Sequence, residues 1–186
     1  MNDTKVAFLV ANEGIERVEL TTPWEAVRDA GYQPVLLAPE AGDAELFDHL
    51  DRVDTMPAEA LSEAGGAEEY AALVLPGGVA NSDKLRADPD AVAFTGAFLA
   101  SGKPVAAICH APWTLVESDV LTGRKLTSWP SLRTDIVNAG GEWIDERCVV
   151  DGNLITSRGP DDLPAFTAAL LEAVNHGADS ADVAAR

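Results

Sequence analysis

The stretch "KPVAAICHAPW", Lys103 to Trp113, delivers an apolar run straight into Cys109 and His110, with Pro112 close behind. A buried strand that ends on a nucleophile and turns at once into a helix is the form of a nucleophile elbow. At that junction the Cys109 sulfur would sit near the positive end of the next helix, which favours thiolate and lowers the thiol pKa. The plain alternative is a small hydrophobe filling the core, since free cysteine is among the most buried residue types. Neighbouring side chains at an elbow usually diverge, so the His110 backbone N–H is expected as an oxyanion donor ahead of its ring as a base.

Gly77 and Gly78 follow Pro76 and could bring backbone N–H groups against a reacting carbonyl, because no Cβ intervenes; the alternative is a simple turn. Glu16 and Glu19 lie three apart on a predicted helix, on adjacent parts of one face. One of them could reach the sulfur and, if protonated, donate a hydrogen bond to it, whereas a solvated helix carboxylate would do nothing. His49 and His176 stand apart from other ligand types, so no metal site is expected. "PGG" lacks the spacing of a dinucleotide fingerprint and no P-loop lysine follows it, so no cofactor is expected.

The elements that would position these residues alternate along the chain. "KVAFLVA", "YQPVLLAPE", "YAALVLPGG" and the run into Cys109 read as strands covered on both faces. Helices are predicted over "IERVELTTPWEAVRDAG", where Pro23 must start, kink or distort the helix, and over "PAEALSEAG", "DPDAVAFTGAFLASG", "SLRTDIVNAGG" and "DDLPAFTAALLEAVNHG". "RCVVDGNLITS" reads as a hairpin about Asp151-Gly152. The alternation argues for an α/β fold, a mostly parallel sheet with helices on both faces and a C-terminal β-hairpin. In such a sheet ligands collect outside the carboxyl ends of the strands. "ANEGIERVE", "PGGVANSD" and "CHAP" all fall there, and that convergence favours a reactive Cys109 over core filler.

One domain over residues 1–175 accounts for the length of 186 residues, with 176–186 expected as a flexible tail. The N-terminus is acidic before a short apolar run, unlike a signal peptide or a membrane span, so a cytoplasmic location is expected. Two cysteines, Cys109 and Cys148, make no disulfide framework. Asp and Glu number 31 against 13 Lys and Arg, a formal charge of −18, which weighs against nucleic acid or anionic membrane as a partner. The acid is spread along the chain and lysine occurs only at positions 5, 84, 103 and 125, a pattern suited to a halophilic, salt-screened surface.

"LVLPGG", then "AAICHAPW", "LTSWPSLRTDIVNAG", "VVDGNLITSRGPDDLPAF" and the early "GIERVELT" together resemble the ThiJ/PfpI superfamily, closest to its PfpI-like, Cys-His branch. The match runs from Lys5 to about Asn175. It implies a flavodoxin-like three-layer sandwich related to glutamine amidotransferases. It further implies Cys109 as nucleophile, His110 as its partner, Glu19 as the carboxylic acid bonded to sulfur, Glu16 as the neighbouring acid and Gly78 as the oxyanion turn. Asp83 takes the place of an acidic residue that reaches the histidine from an adjoining subunit, which implies a homodimer or higher assembly, up to a hexamer. Ala111 stands where the family usually has Gly, and Trp129 where some members carry Tyr.

The activities implied share thiolate addition to an electrophilic carbonyl. The first expectation is a cofactor-independent, deglycase- or glyoxalase-like enzyme acting on a small carbonyl substrate or on a glycated protein or nucleotide. The alternatives are a PfpI-type intracellular cysteine peptidase and a non-enzymatic redox-sensing stress chaperone whose Cys109 is oxidised.

Overall fold

A computed structural model describes residues 4–184. In chain order the elements are β1 (Lys5–Leu9), β2 (Ile15–Glu16), α1 (Arg17–Asp29), β3 (Gln33–Ala38), β4 (Gly42–Asp48), β5 (Asp51–Ala60), β6 (Ala72–Leu75), α2 (Val79–Ala87), α3 (Pro89–Ala100) and β7 (Val105–Ile108). They continue with α4 (Pro112–Glu117), β8 (Lys125–Leu126), α5 (Arg133–Asn138), β9 (Glu142–Trp143), β10 (Cys148–Asp151), β11 (Leu154–Ser157) and α6 (Leu163–Ala184).

The sheet runs β10-β11-β7-β6-β1-β3-β5-β4-β2, with β11, β7, β6, β1 and β3 parallel and in register. Successive residues of the central strands point to opposite faces. Val6, Phe8, Val74, Ala106 and Ile108 therefore pack with Leu20 and Val27 of α1 and Phe166 and Leu170 of α6. Ala7, Leu9, Leu73, Leu75, Val105 and Ala107 pack with Leu85 of α2, Phe98 of α3 and Leu115 of α4 on the other face. This is the three-layer α/β sandwich expected of the apolar runs, a mostly parallel mixed sheet with helices on both sides.

α3 is capped by Asp88, whose carboxylate accepts from the backbone N–H groups of Asp90 and Ala91 behind Pro89 at the first turn. β10 and β11 pair antiparallel about Asp151-Gly152, where Gly152 has φ +59°. α1 runs through Pro23, which denies the Glu19 carbonyl its in-helix partner. α6 extends past the expected tail boundary to Ala184, and the side chains of residues 177–186 lie outside those described.

Two departures bear on the site. "PAEALSEAG" is not a helix: Asp51–Ala60 pairs antiparallel with Gly42–Asp48 and briefly with β3, and only Leu61–Glu63 turns helically. Long-range pairing overrides the helix preference of its Ala, Glu and Leu residues. The second departure is α2, which begins straight after Gly78.

Candidate active site

β1, β6 and β7 are adjacent and parallel, so their carboxyl ends place three loops side by side. β1 is also where the chain order turns, with β3 on one side and β6 on the other, the crevice where doubly wound sheets bind ligands. A cavity of about 830 Å³ opens there, lined by Cys109, His110, Glu19, Glu16, Gly78 and Asp83 among others.

Cys109 has φ +62°, a left-handed conformation that costs a residue with a Cβ on the order of 1–2 kcal/mol. It persists because the elbow is tied on both sides. Its N–H donates to the Ser157 carbonyl at 3.0 Å, and its own carbonyl accepts from Trp129 N–H at 2.8 Å. The following turn is closed by Ala111 N–H to the Ile108 carbonyl at 3.1 Å, and the Ala111 methyl that departs from the family pattern is buried without difficulty.

The same φ swings the Cys109 side chain toward that of its neighbour. Sγ lies 3.2 Å from His110 Nδ1, so the two do not diverge as expected. The imidazole stacks on Trp129 at 5.8 Å between centroids and meets the edge of Trp113 at 5.4 Å, with Nε2 3.5 Å from Ser131 Oγ. Burial lowers the His110 pKa, which leaves the ring neutral.

Glu19 is fully buried at the first turn of α1, and neither carboxyl oxygen has a hydrogen bond of ordinary geometry. Burial pushes its pKa up to about 8, against smaller downward effects of the Cys109 thiol and the Gly77 N–H; the Glu16 charge adds to the rise. Burial also pushes the Cys109 thiol up, and an ionised Glu19 pushes it further, while the Gly78 and His110 N–H groups pull it down. Burial of the sulfur and the neighbouring Glu19 thus oppose the lowering expected from a helix N-terminus, and α4 has only six residues. The carboxyl and the thiol perturb each other directly, so their titrations are coupled.

The glycines divide the work. A Cβ on Gly77 would lie 2.6 Å from Cys109 Cβ and collide with Glu19 Oε2, so only glycine lets acid and thiol meet. Gly78, at φ +101°, turns its N–H toward the sulfur. Glu16 stays at the rim, where it accepts from His49 N–H at 3.3 Å. Asp83 is exposed on α2, and among the described residues no hydrogen bond joins it to His110 of its own chain.

Asn81, fully buried on α2, was not singled out by its sequence. Its Oδ1 accepts from Ala11 N–H at 2.7 Å, and its Nδ2 donates to the Pro76 and Gly77 carbonyls at 2.9 and 3.0 Å. It binds the β1 loop to the Gly77-Gly78 turn. Asn81→Ala should cost on the order of 3 kcal/mol by leaving those buried groups unpaired, measured as a lowered urea midpoint with unchanged m. The β4–β5 tip also reaches the cavity, contributing Phe47, His49 and Leu50. Among the described residues no group of three His, Cys, Asp or Glu side chains could hold a metal ion, and no helix is long and apolar enough to cross a membrane.

A strained cysteine elbow at the switch point of a doubly wound sheet, facing a buried acid across a diglycine turn, defines the class of flavodoxin-like proteins with a cysteine elbow. Residues 4–173 match the DJ-1/PfpI family, and the chain belongs to it. It is 42% identical to Protein/nucleic acid deglycase 2 of Escherichia coli, over 87% of this chain and 92% of that one. It is 41% identical to the Bacillus subtilis protein named "Putative cysteine protease YraA", covering 87% and 93%. A solved two-domain protein from Anabaena variabilis, with DJ-1/ThiJ/PfpI-like and ferritin-like domains, superposes with a TM-score of 0.86 at 37% identity. That alignment covers 94% of this chain and about half (49%) of the larger one.

Proposed function

We propose that the chain is a cysteine-dependent enzyme of carbonyl detoxification, converting methylglyoxal to lactate or releasing its early adducts from amines. The observation that carries this reading is the 3.2 Å approach of Cys109 Sγ to the neutral His110 ring, beside a carboxyl that keeps its proton up to about pH 8. Relatives named as deglycases support it.

As Sγ adds to the aldehyde carbon, its proton passes to His110 Nδ1, and the carbonyl electron pair moves to an oxygen facing the Gly78 and His110 N–H groups. Glu19 protonates that oxygen, giving a hemithioacetal. The hydrogen on the same carbon then leaves as a proton and returns to the neighbouring carbon through an enediol, so one carbon is oxidised and the other reduced. Water cleaves the resulting thioester to lactate and free thiol. For an early amine adduct, a hemiaminal, Sγ takes the place of nitrogen on the aldehyde-derived carbon: the C–N bond breaks as the S–C bond forms, the thiol proton leaves on the amine, and the same hemithioacetal results.

A peptidase is the second reading. Asp83, exposed on α2 at the cavity, could face His110 of another copy, and the B. subtilis relative bears a protease name. The test is a parallel assay of the protein and Cys109→Ser on methylglyoxal and unfolded casein. Lactate lost in the variant supports detoxification; casein peptides released only by wild type support the peptidase. A monomer by light scattering in molar salt would remove the shared Asp83 arrangement.

A further inference from the structure

The stretch "SRGPDDLP" has no part in the chemistry above, yet it forms a doubly closed turn after β11, with Pro160 on the cavity lining. Arg158 lays its guanidinium on Asp162: Nε donates to Oδ2 at 2.8 Å and Nη2 to Oδ1 at 3.0 Å, while the Arg158 backbone N–H reaches Oδ2 at 3.2 Å. Nη1 donates outward to Asp145 Oδ1 at 2.8 Å. The Asp162 N–H closes the turn a second time, on the Gly159 carbonyl at 3.0 Å. Asp162 is buried. A carboxylate stripped of its water adds little to stability even when paired, whereas a planar two-pronged fork fixes geometry.

What the fork fixes is Gly159, and Gly159 lies against Trp129. A Cβ there would stand 3.1 Å from Cζ3 and 3.2 Å from Cε3 of the indole, inside the about 3.5–4.0 Å at which carbon atoms pack. The backbone at Gly159 is extended, so room for the ring, not a special φ, is what the missing side chain provides. Trp129, 43% exposed, stacks in turn on His110 at 5.8 Å and 25°, and its N–H holds the Cys109 carbonyl. Trp113, which meets the same imidazole edge-on, is anchored separately. Its Nε1 donates to Asp135 Oδ2 at 2.8 Å, and the Arg86 guanidinium lies 5.3 Å over its ring.

We infer that Arg158, Asp162 and Gly159 are positioning residues for His110, acting through Trp129. The stack limits rotation of the imidazole and keeps Nδ1 on Sγ at 3.2 Å, with Nε2 turned to Ser131 Oγ at 3.5 Å. A ring flipped about its Cβ–Cγ bond presents Cδ2 to the sulfur, and a carbon cannot take the thiol proton. With Nδ1 accepting, Nε2 carries the hydrogen, so one orientation goes with one tautomer. The kinetic consequence rests on the carbonyl-detoxification reading; the orientation of the ring does not.

The test reads methylglyoxal turnover in Gly159→Ala, Gly159→Val, Arg158→Lys, Trp129→Phe and Trp129→Ala. Misplacing a reacting group by about an ångström costs up to about a hundredfold, so kcat should fall about fivefold in Gly159→Ala and about thirtyfold in Gly159→Val and Trp129→Ala, with KM within about twofold. Arg158→Lys keeps the charge and loses the fork, and should cost about tenfold in kcat. Trp129→Phe keeps a stacking ring and should recover most of the Trp129→Ala loss. Because the turn acts through the indole, Gly159→Val or Arg158→Lys should add less than about twofold to Trp129→Ala. An unchanged kcat in Gly159→Val, a loss carried by KM, or the full penalty kept when Trp129 is already alanine overturns the inference, since a turn that only supports the fold acts with or without the indole. Both glycine variants leave the fork intact, so the test stands even where Arg158→Lys does not fold.

If methylglyoxal itself is not consumed, the detoxification reading fails and the positioning is read from the ring. Long-range proton–nitrogen correlation spectra at neutral pH, with the His110 signals assigned by their loss in His110→Asn, should show one tautomer in wild type, bare at Nδ1 and protonated at Nε2. Gly159→Val and Trp129→Ala should show a second tautomer. A wild-type ring protonated at Nδ1, or the same spectrum in all three proteins, overturns the inference.

Discussion

Cys109→Ala should lower methylglyoxal turnover by about a thousandfold or more, the scale of loss when a nucleophile is removed from a site whose other groups remain. The fold should survive, because Cys109 occupies a left-handed backbone position held by Ser157 and Trp129. Cys109→Gly should match the loss in turnover yet gain about 1 kcal/mol in stability over Cys109→Ala, since glycine adopts φ +62° without strain. Cys148, half-buried on an edge strand, lies away from the cavity. Cys148→Ala should leave turnover within twofold of wild type. Turnover retained by Cys109→Ala and lost in Cys148→Ala would reverse the assignment.

Glu19→Gln should lower turnover by about a hundredfold or more, because an amide cannot give and recover a proton, and should raise stability at neutral pH. The sign follows from proton uptake. Glu19 titrates near 4.5 in the unfolded chain and near 8 in the folded one. Below pH 4.5 both states are protonated and the acid costs nothing. Between pH 4.5 and 8 folding must draw a proton onto the buried carboxyl, so stability falls as pH rises, by about 3 kcal/mol at pH 7. The gap between Glu19→Gln and wild type should therefore open progressively over that range, worth roughly 6–12 °C in thermal midpoint at pH 7. A gap independent of pH would mean that Glu19 is ionised in the folded protein. Removing the carboxylate should also move iodoacetamide labelling of Cys109 to lower pH, since no second charge forms beside the sulfur.

Much of this site was legible in the sequence because it depends on local order. The apolar runs of β1, β3, β6 and β7 announced buried parallel strands, and that topology alone brings the segments after Leu9, Leu75 and Ile108 to one end of the sheet. The diglycine turn followed from the same placement, whereas the helix pattern left Glu16 and Glu19 open and only the family resemblance singled out Glu19. The hairpin of β4 and β5 did not follow, because Ala, Glu and Leu in its second strand favour helix and only pairing with Gly42–Asp48 extends them. Asn81 reads as one polar residue in a loop-like stretch. Its worth depends on Ala11, seventy positions away. The upward push of burial on the Cys109 thiol was hidden for a related reason. A helix N-terminus is visible in sequence, whereas burial of sulfur against a protonated acid exists only after folding.

The central claim is that Cys109 forms a covalent bond to the carbonyl carbon, and acid-quenched peptide mapping during methylglyoxal turnover tests it most directly. The mass of a lactoyl group should appear on the Cys109 peptide within the first turnovers, decay as lactate is released, and be absent in Cys109→Ser. Lactate formed at the wild-type rate with the Cys109 peptide unmodified throughout, or with the added mass on Cys148, would contradict the account.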